Sequence, residues 1–272
     1  RSRGLGDVYK RQRKDLELKS PNCLERGYPT QYLDLLKSIP AQAIDGQMWC
    51  CILYGKGRAH LTRGELRQAI DNLSESLTMA ERLSDTILTA KIMKYLGKAY
   101  LGRGDLKTAE SCFTKSIELL QEAKEWSELG STFLETALLY LRKGDLATMK
   151  KLLDKGLDLC QETGDERNVA IGYYHNAGLH EMENNWGKAI ESCEKSLGMF
   201  KDIGDMLWVA IIHAELAFIK TFLRRFEEAL EHFDMSIKTF EKTGLYAKLV
   251  EACSDRALLC VELGDLESAQ KD

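Results

Sequence analysis

Histidine and cysteine are the side chains here most suited to metal binding or nucleophilic chemistry. The chain has five His, at 60, 175, 180, 213 and 232, and eight Cys. His175, His180 and Glu181 come nearest to a metal cluster. Residues five apart on a helix, however, point about 140° from one another, and a zinc-binding helix favours an i, i+4 pair with a third ligand elsewhere. No Walker-type loop or GxSxG motif occurs. The stretch Gly4–Lys10 has a faint Gly-rich, phosphate-loop character, but it lies in a segment set apart below. The cysteines form no CxxC pair, and a Cys and a His paired without motif context define no nucleophile and base. The expectation is a chain without catalytic residues, cofactor or metal, not an enzyme. Its thiols are read as small buried side chains in a reducing cytoplasm.

Composition narrows the partners. The chain has 272 residues, 44% hydrophobic and 29% charged, with only three Pro. It can bury a core, and its length allows one large domain or two small ones. The net charge of −4 resolves into +5 over residues 1–14 and −9 over the remainder. A net acidic chain is a poor binder of nucleic acid or anionic membrane. The most apolar stretch, Met206 to Leu223, is interrupted by His213, Glu215 and Lys220, so no membrane span is predicted. RSRGLGDVYKRQ (1–12) resembles translated adaptor sequence, and residues 1–14 are excluded from the expected fold. The start at Arg1 and the stop within GDLESAQKD lead us to expect a fragment of a longer protein, whose exposed end repeat could self-associate.

The elements that must position any site are announced by a repeat. Gly-Asp/Glu-Leu occurs at 64–66, 104–106, 144–146 and 264–266. Asn184-Asn185-Trp186 and Arg224-Arg225-Phe226 occupy the two missing slots. A second set lies half a period away, at Ser84-Asp85, Lys124-Glu125, Gly164-Asp165, Gly204-Asp205 and Gly244-Leu245. A turn signal therefore falls every 20 residues from Gly64 to Gly264. Glycine accepts the left-handed conformation that ends a helix, and the Asp after it caps the next. The prediction is helices of about 17 residues joined by tight turns and therefore antiparallel, two per repeat.

Between the turns the apolar residues keep helical spacing. Leu106, Ala109, Phe113, Ser116, Ile117 and Leu120 recur in register as Leu66, Ala69, Leu73, Ser76, Leu77 and Ala80. They recur again from Trp186 to Phe200 and from Phe226 to Phe240. The other helix of each pair carries a small residue and, three later, usually a larger one: Gly57/His60, Gly97/Tyr100, Ala137/Tyr140, Ala177/His180, Ala217/Lys220 and Ala257/Cys260. Packing thus accounts for His60 and His180.

This pattern of a small residue, an aromatic, then G-D-L, Ala, Phe/Leu and Ser with Ile/Leu resembles the tetratricopeptide repeat. The resemblance implies an all-α, tetratricopeptide-like α-solenoid of antiparallel helical hairpins. Repeats are expected at about 45–84, 85–124, 125–164, 165–204, 205–244 and 245–272, the last truncated. Residues 15–44 are expected to supply degenerate helices, with Pro29 opening one and Pro40 closing it. The period of 40 exceeds the family's usual 34, and Gly-Asp stands where a Pro often follows the second helix. Longer repeats of this kind resemble those of bacterial signalling and regulatory proteins.

The resemblance implies a protein or peptide partner on a concave face lined by the first helix of each pair. A helical wheel places Arg58, Lys91, Lys94 and Lys98 there, then Leu134, Leu138, Ile171 and Tyr174, then Glu215, Phe218 and Phe222, then Glu251 and Asp255. The expected function is a non-catalytic scaffold or sensor module of a larger signalling or transcription-regulatory protein. The alternatives are the regulatory arm of a kinase, cyclase or ATPase, or a receptor for small peptides. RNA binding by a helical repeat would need basic base-reading positions on successive repeats, which the charge disfavours.

Overall fold

The structure is a computed structural model that describes residues 29–37 and 45–271. The segment 1–14, Pro40 and most of 15–44 lie outside the described residues. Among the described residues there are thirteen helices and no strand. They are α1 (Pro29–Lys37), α2 (Gly46–Thr62), α3 (Leu66–Arg82), α4 (Thr86–Gly102), α5 (Leu106–Ala123), α6 (Trp126–Lys143) and α7 (Leu146–Glu162). There follow α8 (Glu166–Met182), α9 (Trp186–Ile203), α10 (Met206–Phe222), α11 (Phe226–Thr243), α12 (Tyr246–Glu262) and α13 (Leu266–Lys271). They fall into two compact units, one up to Ala123 and one from Lys124 onward.

Every one of the eleven turn positions is left-handed. The seven glycines from Gly64 to Gly264 have φ between 69° and 82°. Ser84, Lys124, Asn184 and Arg224 hold φ of 54–58° without the freedom of glycine. The reason is the same hydrogen bond repeated. The N–H of Glu65 donates to the His60 carbonyl at 2.9 Å, that of Asp105 to Tyr100, of Asn185 to His180 and of Arg225 to Lys220. Each closes a helix end and turns the chain back, so an unfavourable residue is carried by the bonds around it.

Capping follows the chemistry of the next residue. The carboxylates of Asp85, Asp105, Asp145, Asp165, Asp205 and Asp265 each accept from the backbone N–H three residues on, as does the Asn185 amide oxygen. Glu65 and Glu125 make no side-chain cap. Their extra methylene carries the carboxylate past the amide, and the shorter acid is preferred there.

Within the first unit α1 packs on α2, and the hairpins α2–α3 and α4–α5 stack through Leu73, Ile92, Leu96 and their neighbours. Within the second unit the hairpins are α6–α7, α8–α9, α10–α11 and α12–α13. Ala69, Ala109, Ala189 and Ala229 are completely buried, as are Ala137, Ala177 and Ala217. A methyl built on Gly57 would come within 2.5 Å of Leu73, and one on Gly97 within 2.7 Å of Phe113. The small columns are where two helices approach closest.

A serine column adds a polar contact at the same depth. Ser76 donates to the Cys50 carbonyl at 2.9 Å, Ser116 to Ala90 at 2.8 Å and Ser196 to Ala170 at 2.7 Å, always 26 residues back. Ser236 instead donates to Phe233 in its own helix. At the corresponding position, Gly156 lies against Gly130 and Leu134 with no side chain to bond.

Two stability changes follow. Ala189→Leu overpacks the α8–α9 contact and lowers unfolding free energy by about 1–3 kcal/mol in urea melts, whereas Leu258→Ala on an exposed face changes it by under about 0.5 kcal/mol. Ser84→Gly relieves the left-handed backbone and gains about 1 kcal/mol, and Gly144→Ala loses a similar amount.

Candidate functional site: an acidic and aromatic cleft in the second unit

Helices α10 and α12 each present a stripe of side chains, and α8 a single one, to a common cleft of ≈ 300 Å³. Tyr174 comes from α8. Ile211, Ala214, Glu215 and Phe218 come from α10, spaced three and four apart on one face. Lys248, Glu251, Ala252 and Asp255 come from α12, and Phe240 of α11 reaches in from the second helix of its hairpin. Phe240 and Ala252 are buried and form the apolar floor, while Phe218 is 50% exposed at the rim.

The start of α10 is tied to α8 by a buried pair. Asp205 is fully buried, caps α10 through the Trp208 N–H and accepts from Arg167 Nη2 at 2.9 Å. Burial pushes the Asp205 carboxyl up, and the Arg167 guanidinium pulls the other way. Trp208, held one turn into α10, stacks on Phe200 at 5.1 Å and meets Tyr174 edge-on at 5.3 Å. These contacts set the angle at which Tyr174 faces Glu215.

Tyr174 Oη donates to Glu215 Oε2 at 2.9 Å. Burial, then the Glu215 charge, hold this phenol well above its ordinary pKa. Glu181, two turns along α8, is pushed up to about 8 by burial and then by the Glu215 carboxylate. Its Oε1 is shut off from solvent without a hydrogen-bond partner. On the opposite wall Lys248 Nζ pairs with Glu251 Oε2 at 2.6 Å. Asp255 is raised by partial burial and then by the Glu251 charge, partly offset by Lys248.

The sequence-predicted residues separate into distinct settings. Tyr174, Glu215, Phe218, Glu251 and Asp255 come together in this cleft. Phe222 lies one turn beyond Phe218, 58% exposed, and stacks on Trp186 at 4.2 Å. Leu134 and Ile171 are buried inside the helix stack, so they pack rather than line a surface, and Leu138 is half-buried. In the first unit Arg58, Lys94 and Lys98 converge on the Tyr95 ring at 5.0, 5.3 and 5.6 Å from its centroid. Lys94 is buried there, with its stem along apolar surface, and Lys91 is half-buried on the same helix.

Sequence reasoning missed Ile211, Ala214, Lys248, Ala252 and Phe240, and it weighed Glu181 only as part of a metal cluster. The first four sit one helical turn or less from residues it did select, so the stripe could have been widened. Phe240 carried no such signal, because it belongs to the packing column of the second helices. The histidines stand apart from the cleft floor. His60 contacts Glu65 at 2.5 Å, His180 contacts Glu183 at 3.2 Å, and His213 and His232 meet Nδ1 to Nδ1 at 2.8 Å. Burial depresses His213 to about 4. Among the described residues no three His, Cys, Asp or Glu are placed to hold a metal, and no helix is long and apolar enough to cross a membrane.

Stacked hairpins with small-residue columns and a groove on their first helices define a tetratricopeptide-repeat protein, and residues 50–122 match the tetratricopeptide repeat family. A longer match, over residues 90–271, is to the family described as soluble NSF attachment protein, SNAP, and the chain belongs to that family. No curated protein matches the chain by sequence. Several solved structures are similar to it. BtubC from P. vanneervenii is 18% identical, with a TM-score of 0.60 over 76% of this chain and 87% of that one. NprR in complex with its cognate peptide NprX is 17% identical, with a TM-score of 0.70 over 88% and 70%. The Rap conjugation gene regulator of the plasmid pLS20, in complex with the Phr* peptide, is 14% identical, with a TM-score of 0.67 over 94% and 68%. At these identities the likeness concerns the fold alone.

The raised Glu181 carboxyl makes stability pH-dependent with a definite sign. Between its ordinary value of 4.5 and about 8 the folded chain keeps a proton that the unfolded chain has released. This contribution is therefore present below pH 4.5 and is lost as pH rises towards 8. Glu181→Gln keeps the shape and removes the titration. Its melting temperature should match the parent near pH 5 and exceed it at pH 8. Parallel curves at both pH values would disprove the assignment.

Proposed function

We propose that this chain is a non-catalytic interaction module that binds a peptide or a short segment of a partner protein in the α8–α10–α12 cleft. The observation that carries this reading is the cleft itself. Three successive first helices line it, with the half-buried Tyr174, the exposed Phe218 and polar groups above an apolar floor. Its volume lies at the lower end of the range of about 300–1,000 Å³ found for ligand sites. That is room for a few side chains of an extended segment. The helices are held by their own hairpins, so the surface is formed before the ligand arrives and little ordering cost remains.

Two of the similar structures, NprR and the Rap regulator, contain a peptide, which supports the choice of ligand class. The same comparisons support a regulatory setting, with this chain as the sensing or scaffolding part of a larger signalling protein. On this reading the repeats are the units 45–84, 85–124, 125–164, 165–204, 205–244 and 245–272. Their turns at 20-residue intervals support that division. The cysteine usage supports a reducing cytoplasm as the place where partner and chain meet. The acidic balance supports a protein rather than a nucleic-acid partner.

The test is an unbiased selection of displayed random heptapeptides on the 272-residue chain. Enriched peptides should bind the parent and lose about tenfold or more in affinity for the Phe218→Ala/Phe222→Ala variant, since exposed aromatics are the usual anchors of such sites. Enrichment indifferent to both substitutions would remove the cleft from the account.

A further inference from the structure

The walls of the cleft are not electrically neutral, and their imbalance specifies what enters. Glu215, Glu251 and Asp255 line it against a single ammonium, that of Lys248. Lys248 is already committed, at 2.6 Å, to Glu251 three residues along its own helix. Glu215 receives the Tyr174 hydroxyl at 2.9 Å and shares a side-chain hydrogen bond with Glu181, and neither partner is a cation. Asp255 has no hydrogen-bond or ion-pair partner among the described residues, and it stands one turn from Glu251. The two carboxylates of Glu215 and Asp255 therefore face one cleft from opposite helices without a cation of their own.

A second observation lies beside them. Glu181 Oε1 is shut off from solvent with no donor, against the same Glu215. The α8 wall thus has carboxyl oxygens in excess of donors. A cation entering beside Glu215 and Asp255 would meet carboxyl oxygens that have no cationic partner of their own. At the rim, Phe218 and Phe222 present half-exposed rings, the second resting on Trp186. Aromatic faces accept aliphatic side chains and the flanks of cations alike.

We propose that the cleft selects a peptide segment with a Lys or Arg side chain that enters between Glu215 and Asp255, while a neighbouring apolar side chain covers Phe218 and Phe222. This rests on the reading of the cleft as a peptide site. It adds the ligand's sign and the order of its side chains. The Arg guanidinium, with its donors in a planar fork, fits two separated carboxylates better than a compact ammonium does.

The experiment uses the heptapeptides selected on the 272-residue chain. One enriched sequence is synthesised with Arg at its basic position and again with citrulline, which has nearly the same shape and no charge. Both are titrated by isothermal calorimetry at pH 7. The expected result is enrichment of Arg or Lys next to an apolar residue, with the citrulline form about tenfold or more weaker. Glu215→Gln/Asp255→Asn should bring the two forms within about threefold of each other. Circular dichroism of this double variant checks that the helices persist. The Gln oxygen can still accept from Tyr174. Selected peptides without a basic residue, or with equal binding of Arg and citrulline forms, would overturn the charge assignment and leave the peptide site standing. Peptides that ignore Phe218 and Phe222 altogether would overturn both.

Discussion

A left-handed residue every twenty positions governs how long each helix can run, and the other features of the two units depend on that length. Because the turns within each unit are only two or three residues long, each helix there must fold straight back along its predecessor. Equal helix length then keeps the same column facing the same column in successive hairpins. Ala189 meets the neighbouring helix where Ala109 does in the other unit, and Ser196 finds Ala170 as Ser116 finds Ala90. The four turns without glycine show how strong this constraint is. Arg224 holds a conformation that disfavours it while its own N–H bonds to Thr221 and that of Arg225 to Lys220 close the helix end.

From that register comes the cleft. With small side chains taking up the closest approaches, the larger residues of α8, α10 and α12 are displaced to one face. Tyr174, Phe218 and the acidic residues therefore gather there. The neighbouring turn contributes as well. Asp205 is at once the cap of α10 and the buried partner of Arg167, so one residue joins local helix initiation to the docking of α10 on α8. Desolvation of the buried Asp205 offsets part of the attraction to Arg167, so the pair adds little net stability.

Charge in the second unit is distributed unevenly between packing and surface. His213 and His232 face each other inside the α10–α11 hairpin, and burial depresses the basicity of both. Glu181 is kept protonated by the same low-polarity surroundings. Around the cleft the composition is different, with three acidic side chains and one lysine in its lining.

Much of this was already legible in the residues. Periodicity announced the helices, the turns and the packing columns, because these are local: a Gly-Asp pair ends one helix and starts another whatever lies around it. The identity of the exposed stripe was partly legible too, since Tyr174, Glu215, Phe218, Glu251 and Asp255 follow from the helical wheel. What the wheel cannot distinguish is a side chain that faces a groove from one that faces the next helix. Leu134 and Ile171 look like the others in projection and are buried. Lys94 resembles an exposed lysine and lies beneath its neighbours on Tyr95. Phe240 enters the cleft from a helix that the repeat assigned to packing. The amino-acid sequence by itself determined the helices and their order, because backbone hydrogen bonding and capping are settled within a few residues. Only the tertiary structure decided which faces stayed open and which carboxyls kept a proton, because burial and charge proximity depend on helices far apart in the chain.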